Sequence, residues 1–259
     1  MGAGTIGKHR IQILGTTALV ALAVGTTQAV AGGFAVREQS AWGEGTSYAG
    51  VAAGGSLSAM FWNPATITQS GKLGVELSTS VLFPESSQVG TATFQPPLPF
   101  AGTSFGFNDG MPNSANSAVV PSGYAAMKLT DRIWFGFSFN SPFGLSVNFQ
   151  NPNWAGAFYG QSSTLRTYNG TPTVAIKITD WLSIGGGVQI QYDEPHLMFG
   201  TGVAAPGIAN LGLLTGHGWT AGWTAGVTLT PTPWTQIGLG YRSSLNQEID
   251  GKLRHRPNG

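Results

Sequence analysis

The chain contains no cysteine, which excludes disulfides, zinc–thiolate centres and a cysteine nucleophile. Charge is nearly as scarce. Asp, Glu, Lys and Arg make up 9% of the 259 residues, against about 25% in an ordinary soluble domain. So little charge, without the composition of a disordered chain, means that much of the surface faces something other than water. Long apolar runs are missing too: beyond the N-terminus no stretch reaches the ~18 consecutive apolar residues of a membrane-spanning helix. The histidines (His9, His196, His217, His255) are scattered without metal-ligand spacing. Gly185-Gly186-Gly187 is followed by no helical pattern, so it is no phosphate loop; glycines there leave room inside a lumen. No enzymatic chemistry, metal or cofactor is expected.

What is present begins with an export signal over residues 1–31. Lys8, His9 and Arg10 form a basic start, residues 11–24 are largely apolar, and Ala29-Val30-Ala31 supplies the small-x-small cleavage pattern. The apolar part is shorter than the ~20 residues that cross a bilayer as a helix. Removal of 1–31 takes away Lys8 and Arg10 and no acid, leaving 10 basic and 11 acidic residues, a net charge of −1. Such a balance gives no electrostatic footprint for nucleic acid. The 39 glycines argue against a helical bundle. An exported, glycine-rich, charge-poor chain is then either a secreted β-sandwich or an outer-membrane barrel.

Residues 32–70 are rich in Gly, Ala and Ser and show little alternation. They read as a compact non-strand segment, with a short helical turn over 56–60 before Asn63-Pro64. From Lys72 the period becomes two, the signature of a strand with two different faces. Leu73, Val75, Leu77, Thr79 and Val81 alternate with small or polar residues; Ile133, Phe135, Phe137 and Phe139 alternate with Trp134, Gly136, Ser138 and Asn140. Similar patterns cover 182–193, 219–229 and 236–242, with less regular strands around 122–130 and 164–179, seven in all. Alternation alone also fits a soluble sandwich. Three features favour lipid: a polar face of Gly, Ser, Thr and Gln; aromatics near strand ends (Trp134, Trp181, Trp219, Trp234, Tyr192, Tyr241); and strands of about ten residues. Connections alternate as well. Tight turns at 130–132, 179–181 and 230–234 contrast with long links at 83–121, 141–163 and 195–216, the pattern of periplasmic turns and extracellular loops.

Gly33-Phe34, Glu38, Ser40, Gly43, Gly45, Tyr48-Ala49-Gly50 and Phe61-Trp62-Asn63-Pro64-Ala65 resemble, in order and spacing, the opening segment of the FadL-type family of outer-membrane transporters of long-chain fatty acids and aromatic hydrocarbons. Asn140-Ser141-Pro142-Phe143-Gly144 falls where that family interrupts its third strand, and 222–243 resembles its sixth and seventh strands. The resemblance spans about 32–250. It implies an all-β fold, a transmembrane antiparallel β-barrel of fourteen strands plugged by an N-terminal hatch, of which seven strands are present here. The implied organisation is 1–31 signal peptide, 32–70 hatch and 71–259 partial barrel. The implied activity is passive outer-membrane transport of hydrophobic molecules such as long-chain fatty acids, with hatch-gated lateral diffusion through the wall. The resemblance places Phe34, Asn63, Pro64 and Ala65 beside a greasy pocket, and Asn140, Ser141, Pro142, Phe143 and Gly144 at the lateral opening.

The residues themselves leave alternatives open. Pro142 either ends a strand or breaks its pairing, since proline cannot donate to a ladder. Asn63-Pro64 also fits an Asx turn that ends a helical piece. Met198 and Phe199, in the apolar link 195–216, are candidates to collect a hydrophobic ligand, and Asn63 is a candidate donor to a carboxylate. Expected partners are a fatty acid or aromatic hydrocarbon and outer-membrane lipid. Two other readings stay open: a general porin and a truncated fragment without function. A barrel lipase would need a Ser/His pair that is not found. Residues from Glu248 onward read as the start of a loop. Seven strands would leave two unpaired edges, which hydrocarbon does not tolerate. Closure is therefore expected to need further C-terminal strands or another chain.

Overall fold

A computed structural model describes residues 35–87, 92–94, 105–107, 113–149, 160–205 and 208–256. The expected signal peptide and Phe34 lie outside the described residues. The strands are β1 (Leu73–Leu82), β2 (Ala92–Phe94), β3 (Phe105–Phe107), β4 (Ala118–Lys128), β5 (Ile133–Asn140), β6 (Gly144–Asn148), β7 (Ser162–Lys177), β8 (Leu182–Ala205), β9 (Ile208–Thr232), β10 (Thr235–Arg242) and β11 (Asp250–Arg256). One sheet runs β1-β4-β5-β7-β8-β9-β10, antiparallel at every step, while β6 adds to β7 and β11 to β9. This is the seven-strand antiparallel path read from the alternation.

The two faces of the sheet invert the soluble pattern. Leu77 is 83% exposed, and Leu73, Val75, Phe137, Val188, Ile190 and Leu239 are exposed beside it. Ser78, Ser122, Ser138, Asn169, Thr171, Gln191 and Thr224, on the opposite face, are buried. Burying one such aliphatic side chain contributes about 1.5–3 kcal/mol. A continuous outer face of them is stable only against lipid, which decides for a barrel wall over a sandwich.

The turns explain the repeated Lys-Leu-Thr-Asp and Lys-Ile-Thr-Asp. In both, the residue after the lysine closes the hairpin, Leu129 N–H to Ile133 O and Ile178 N–H to Leu182 O, each 2.9 Å. In both the lysine pairs with the aspartate, at 2.9 Å for Lys128–Asp131 and 3.3 Å for Lys177–Asp180. The Lys128 ammonium holds the Asp131 carboxyl below the usual range. These aspartates are fully exposed, so the backbone, not the ion pair, fixes the turn.

Four expectations change. Trp134 does not join an outer aromatic belt: it is buried on the inner face, and its ring N–H donates to Ser70 O at 3.2 Å. Trp181, Trp219, Trp234 and Tyr241 do face outward. Link 195–216 is not a loop but the far half of the long β8–β9 hairpin, with His196, Leu197, Met198 and Phe199 paired to Thr215, Leu214, Leu213 and Gly212. Pro195 and several glycines erase the alternation there, although backbone pairing continues. Residues 250–256 form β11 instead of a loop. The second strand begins at Ala118, earlier than its pattern suggested, because Pro121 interrupts the run.

The N-terminal segment forms no long strand. Helix α1 (Ala41–Gly45) is capped by the Ser40 hydroxyl, which accepts from Gly43 N–H. Tight helical turns follow at Val51–Ala53, Leu57–Phe61 and Pro64–Gln69. They lie against the inner face, where Met60, Phe61 and Ile67 pack with Tyr124, Ala126, Trp134 and Ala175 into the main apolar cluster.

Candidate functional site

The third strand breaks where proline was expected to disturb it. β5 ends at Asn140, Ser141–Phe143 leave the ladder, and β6 resumes at Gly144, where β7 is the strand it pairs with. Pairing between β4 and β5 stops at Gly123↔Phe139. It resumes across the break only above, at the bridge Ala115↔Val147 and the bond from Asn116 N–H to Ser146 O, 2.9 Å. Between these two closures the wall has a window. A cavity of about 510 Å³ occupies it, lined by Val36, Val119, Pro121, Phe139, Leu145 and Tyr168 among others. Pro121 sits on the β4 rim, opposite the rim that carries Pro142.

The N-terminal segment lies across the inside of this window. Ala35 bridges Phe143, Val36 N–H donates to Pro142 O at 2.9 Å, and the Gln39 amide donates to Ser141 O at 2.8 Å. Gln39 is fully buried. Its backbone carbonyl accepts from Ser122 (2.9 Å) and Tyr124, and its side-chain oxygen accepts from Asn140 at 3.3 Å. Asn140 also donates to the Tyr124 hydroxyl at 2.7 Å. Phe143 N–H donates to the Thr167 hydroxyl at 3.0 Å, and that hydroxyl donates back to Phe143 O. All five residues expected at the opening, 140–144, therefore lie at the break.

Asn63 serves a different end of the segment. Its side-chain oxygen accepts from Ala65 N–H at 3.0 Å, the Asx-type cap that the alternative reading described. Its amide donates to Ala52 O at 2.7 Å and across to Val227 O on β9 at 2.9 Å. Asn63 is fully buried, and both amide hydrogens are engaged by backbone carbonyls. Arg242 adds a second tie: its guanidinium donates to Phe61 O at 2.9 Å, lies 4.2 Å from the Phe61 ring, and bonds Gln189. Glu76 of β1 accepts from Ser56 and from Ser58 N–H, the latter at 3.1 Å. The wall facing these ties is stripped of side chains. A Cβ at Gly185, Gly226, Gly238 or Gly240 would overlap atoms of residues 52–65. Tyr48, with φ of 61°, packs its ring at a tilt against Trp62, 5.5 Å between centroids, and under Arg37; burial, then Glu44 and Glu38, push its phenol up to about 12.

Met198 and Phe199 are not brought to this place. Met198 pairs with Leu213, fourteen residues along β9 from the Val227 that Asn63 touches, roughly 45 Å at ~3.3 Å per residue.

Residues 22–259 match the family described as "Outer membrane protein transport protein (OMPP1/FadL/TodX)". The chain belongs to this family. It is an outer-membrane protein. Among its relatives, the "Long-chain fatty acid transport protein" of Escherichia coli O6:H1 is 27% identical over 262 residues, covering 91% of this chain and 55% of the relative. The "47 kDa outer membrane protein" of Pasteurella multocida is 27% identical over 248 residues, covering 90% and 54%. The crystal structure of a Pseudomonas aeruginosa FadL homologue shares the fold with a TM-score of 0.69 at 21% identity, covering 86% of this chain and 56% of that one. The chain spans about half the length of the curated relatives it matches.

Within this FadL/TodX-type chain, sequence reasoning missed Gln39, Tyr124 and Pro121. Gln39 gave no signal, because a lone amide in an aperiodic segment has no pattern. Pro121 did carry one: a proline inside an alternating strand marks an unpaired rim.

Proposed function

We propose that the protein carries hydrophobic molecules, long-chain fatty acids among them, passively across the outer membrane. In this reading residues 32–70 act as a hatch, and the window between β4 and the β5/β6 break is the lateral exit. The observation that carries it is the 510 Å³ cavity set in the wall and backed by Val36 and Gln39. The names of the relatives support the ligand class. Residues 140–144 form the exit rim. Asn63, Pro64 and Ala65 hold the hatch rather than touch ligand, since the Asn63 amide is engaged. Phe34, which lies outside the described residues, is proposed to contact the ligand. Met198 and Phe199 serve an earlier, outer capture step.

Two measurements test the reading. Alkyl burial contributes about 0.8 kcal/mol per CH₂, so each added methylene is expected to tighten binding by roughly three- to fourfold until the pocket is full. Titration of purified protein with fatty acids of increasing length checks this; equal affinity for short and long chains would refute it. Pro142→Val gives the rim a backbone donor and a strand former. Uptake is expected to slow by about an order of magnitude, with normal amounts of folded protein in the membrane. Unchanged uptake removes the exit role from this window.

A further inference from the structure

The outer surface of the long β7–β8–β9–β11 sheet changes chemistry in rows above the membrane. The first row is aromatic: Tyr168, Tyr192 and Trp219, with Tyr168 paired to Tyr192, Tyr192 paired to Trp219, and the Tyr192 and Trp219 rings 4.9 Å apart. Tyr168 and Trp219 are exposed, and Asp193, next to Tyr192, is buried on the opposite face, so this row faces lipid. It lies at the far end of the strands from the tight turns, where an aromatic girdle meets the outer leaflet's polar zone. Two residues further along each strand the same outward face carries Arg166, paired to Glu194, and His217, paired to Asp250. The next rows add His196, Thr215 and Lys252, then Arg254 opposite Leu213.

Tyr192, Glu194, His196, His217, Asp250 and Lys252 line a groove of about 510 Å³ on this surface. Arg166, Lys252 and Arg254 are exposed, and among the described residues none of them is in an ion pair. Lys252 lines the groove, and Arg166 and Arg254 flank it on the neighbouring strands, a cationic rim above the aromatic row that favours an anion at headgroup depth. The two carboxylates between them need donors, not more anions.

We propose that this groove binds the phosphorylated saccharide headgroup of an outer-leaflet lipid. The phosphates meet Arg166, Lys252 and Arg254 in charge-assisted hydrogen bonds. The sugar hydroxyls donate to Glu194 and Asp250, and the acyl chains run down past Tyr192 and Trp219. The headgroup thereby covers the β8–β9–β11 surface just beyond the Tyr192–Trp219 row. This site is on the outer face; Arg166 borders both it and the window cavity, and lipid retention is read without any transport.

The experiment is native mass spectrometry of the protein extracted from its own outer membrane, followed by re-addition of defined lipids. A phosphorylated saccharide lipid is expected to remain bound through mild detergent exchange. Its enzymatically dephosphorylated form is expected to be retained at least tenfold less, a comparison that needs no variant. Arg166→Gln/Lys252→Gln/Arg254→Gln is expected to lose retention to the same extent. Arg132→Gln/Lys177→Gln, at the turn end, is expected to keep it. Equal retention of phosphorylated and dephosphorylated lipid, or full retention by the triple variant, overturns the proposal. So does equal retention of a simple anionic phospholipid, which would reduce the groove to general charge attraction.

Discussion

Gly240→Val is expected to push the N-terminal segment off the wall while leaving the wall itself intact. Valine suits a strand, and β10 keeps its pairing with β9. Its side chain, however, points inward, where a Cβ already overlaps the Trp62 carbonyl oxygen and approaches the Asn63 backbone. Those are main-chain atoms, so no flexible side chain can move aside. Displacement loses the Asn63 bonds to Val227 and Thr228 and the Arg242 bond to Phe61. At about 0.5–1.5 kcal/mol net for each, more for the charged donor, the segment loses roughly 3–5 kcal/mol of anchoring. Limited proteolysis checks this: cleavage within 41–69 is expected to accelerate by two orders of magnitude or more, with heat-modifiable gel mobility retained. Protection equal to that of the parent protein would mean that the segment is not held where it packs.

The second large effect tests the lipid face. Leu77 sits midway along β1 and is 83% exposed. Leu77→Arg is expected to destabilise the folded protein in bilayers by about 2–4 kcal/mol, whereas Leu129→Arg, beside a tight turn, costs about 0–1 kcal/mol. Denaturant unfolding in lipid vesicles measures both. Equal costs at the two depths would place this face against protein or water.

These two outcomes also show why some of the fold was legible and some was not. Leu73 to Val81 and Ile133 to Phe139 could be read as strands because one face meets hydrocarbon and the other a polar interior, so the period of two survives in the residues. The hairpin beyond Tyr192 leaves the bilayer. Nothing there requires alternation, backbone bonds alone hold it, and the pattern read as a loop. Trp134 was misplaced for a related reason. A tryptophan near a strand end fits a girdle or a contact with the N-terminal segment equally well, and only the parity of β5, with Gly136 and Ser138 on its face, distinguishes them. Asn63-Pro64 was legible as a turn, but the side chain's reach to Val227, far along the chain, has no local signature. The glycines were legible in kind, as residues that leave room, but not in purpose. What fills the room is the backbone of residues 52–65.

The window raises a question of solvation that its two prolines answer. Each unpaired amide facing hydrocarbon costs several kcal/mol. A hole in a membrane wall therefore tends to close or to fill with water. Here Pro121 on one rim and Pro142 on the other have no N–H to leave bare, and the Phe143 amide is satisfied within the wall by Thr167. The rims make few demands on whatever touches them. The demands that remain are on the inner side, where Ser122, Tyr124 and Asn140 donate to Gln39, and Pro142 O and Ser141 O accept from Val36 and Gln39. In the proposed exit route, any withdrawal of residues 36–39 would have to hand these polar groups to water or to a ligand's polar end, while the proline rims would face an oily molecule without a bare N–H.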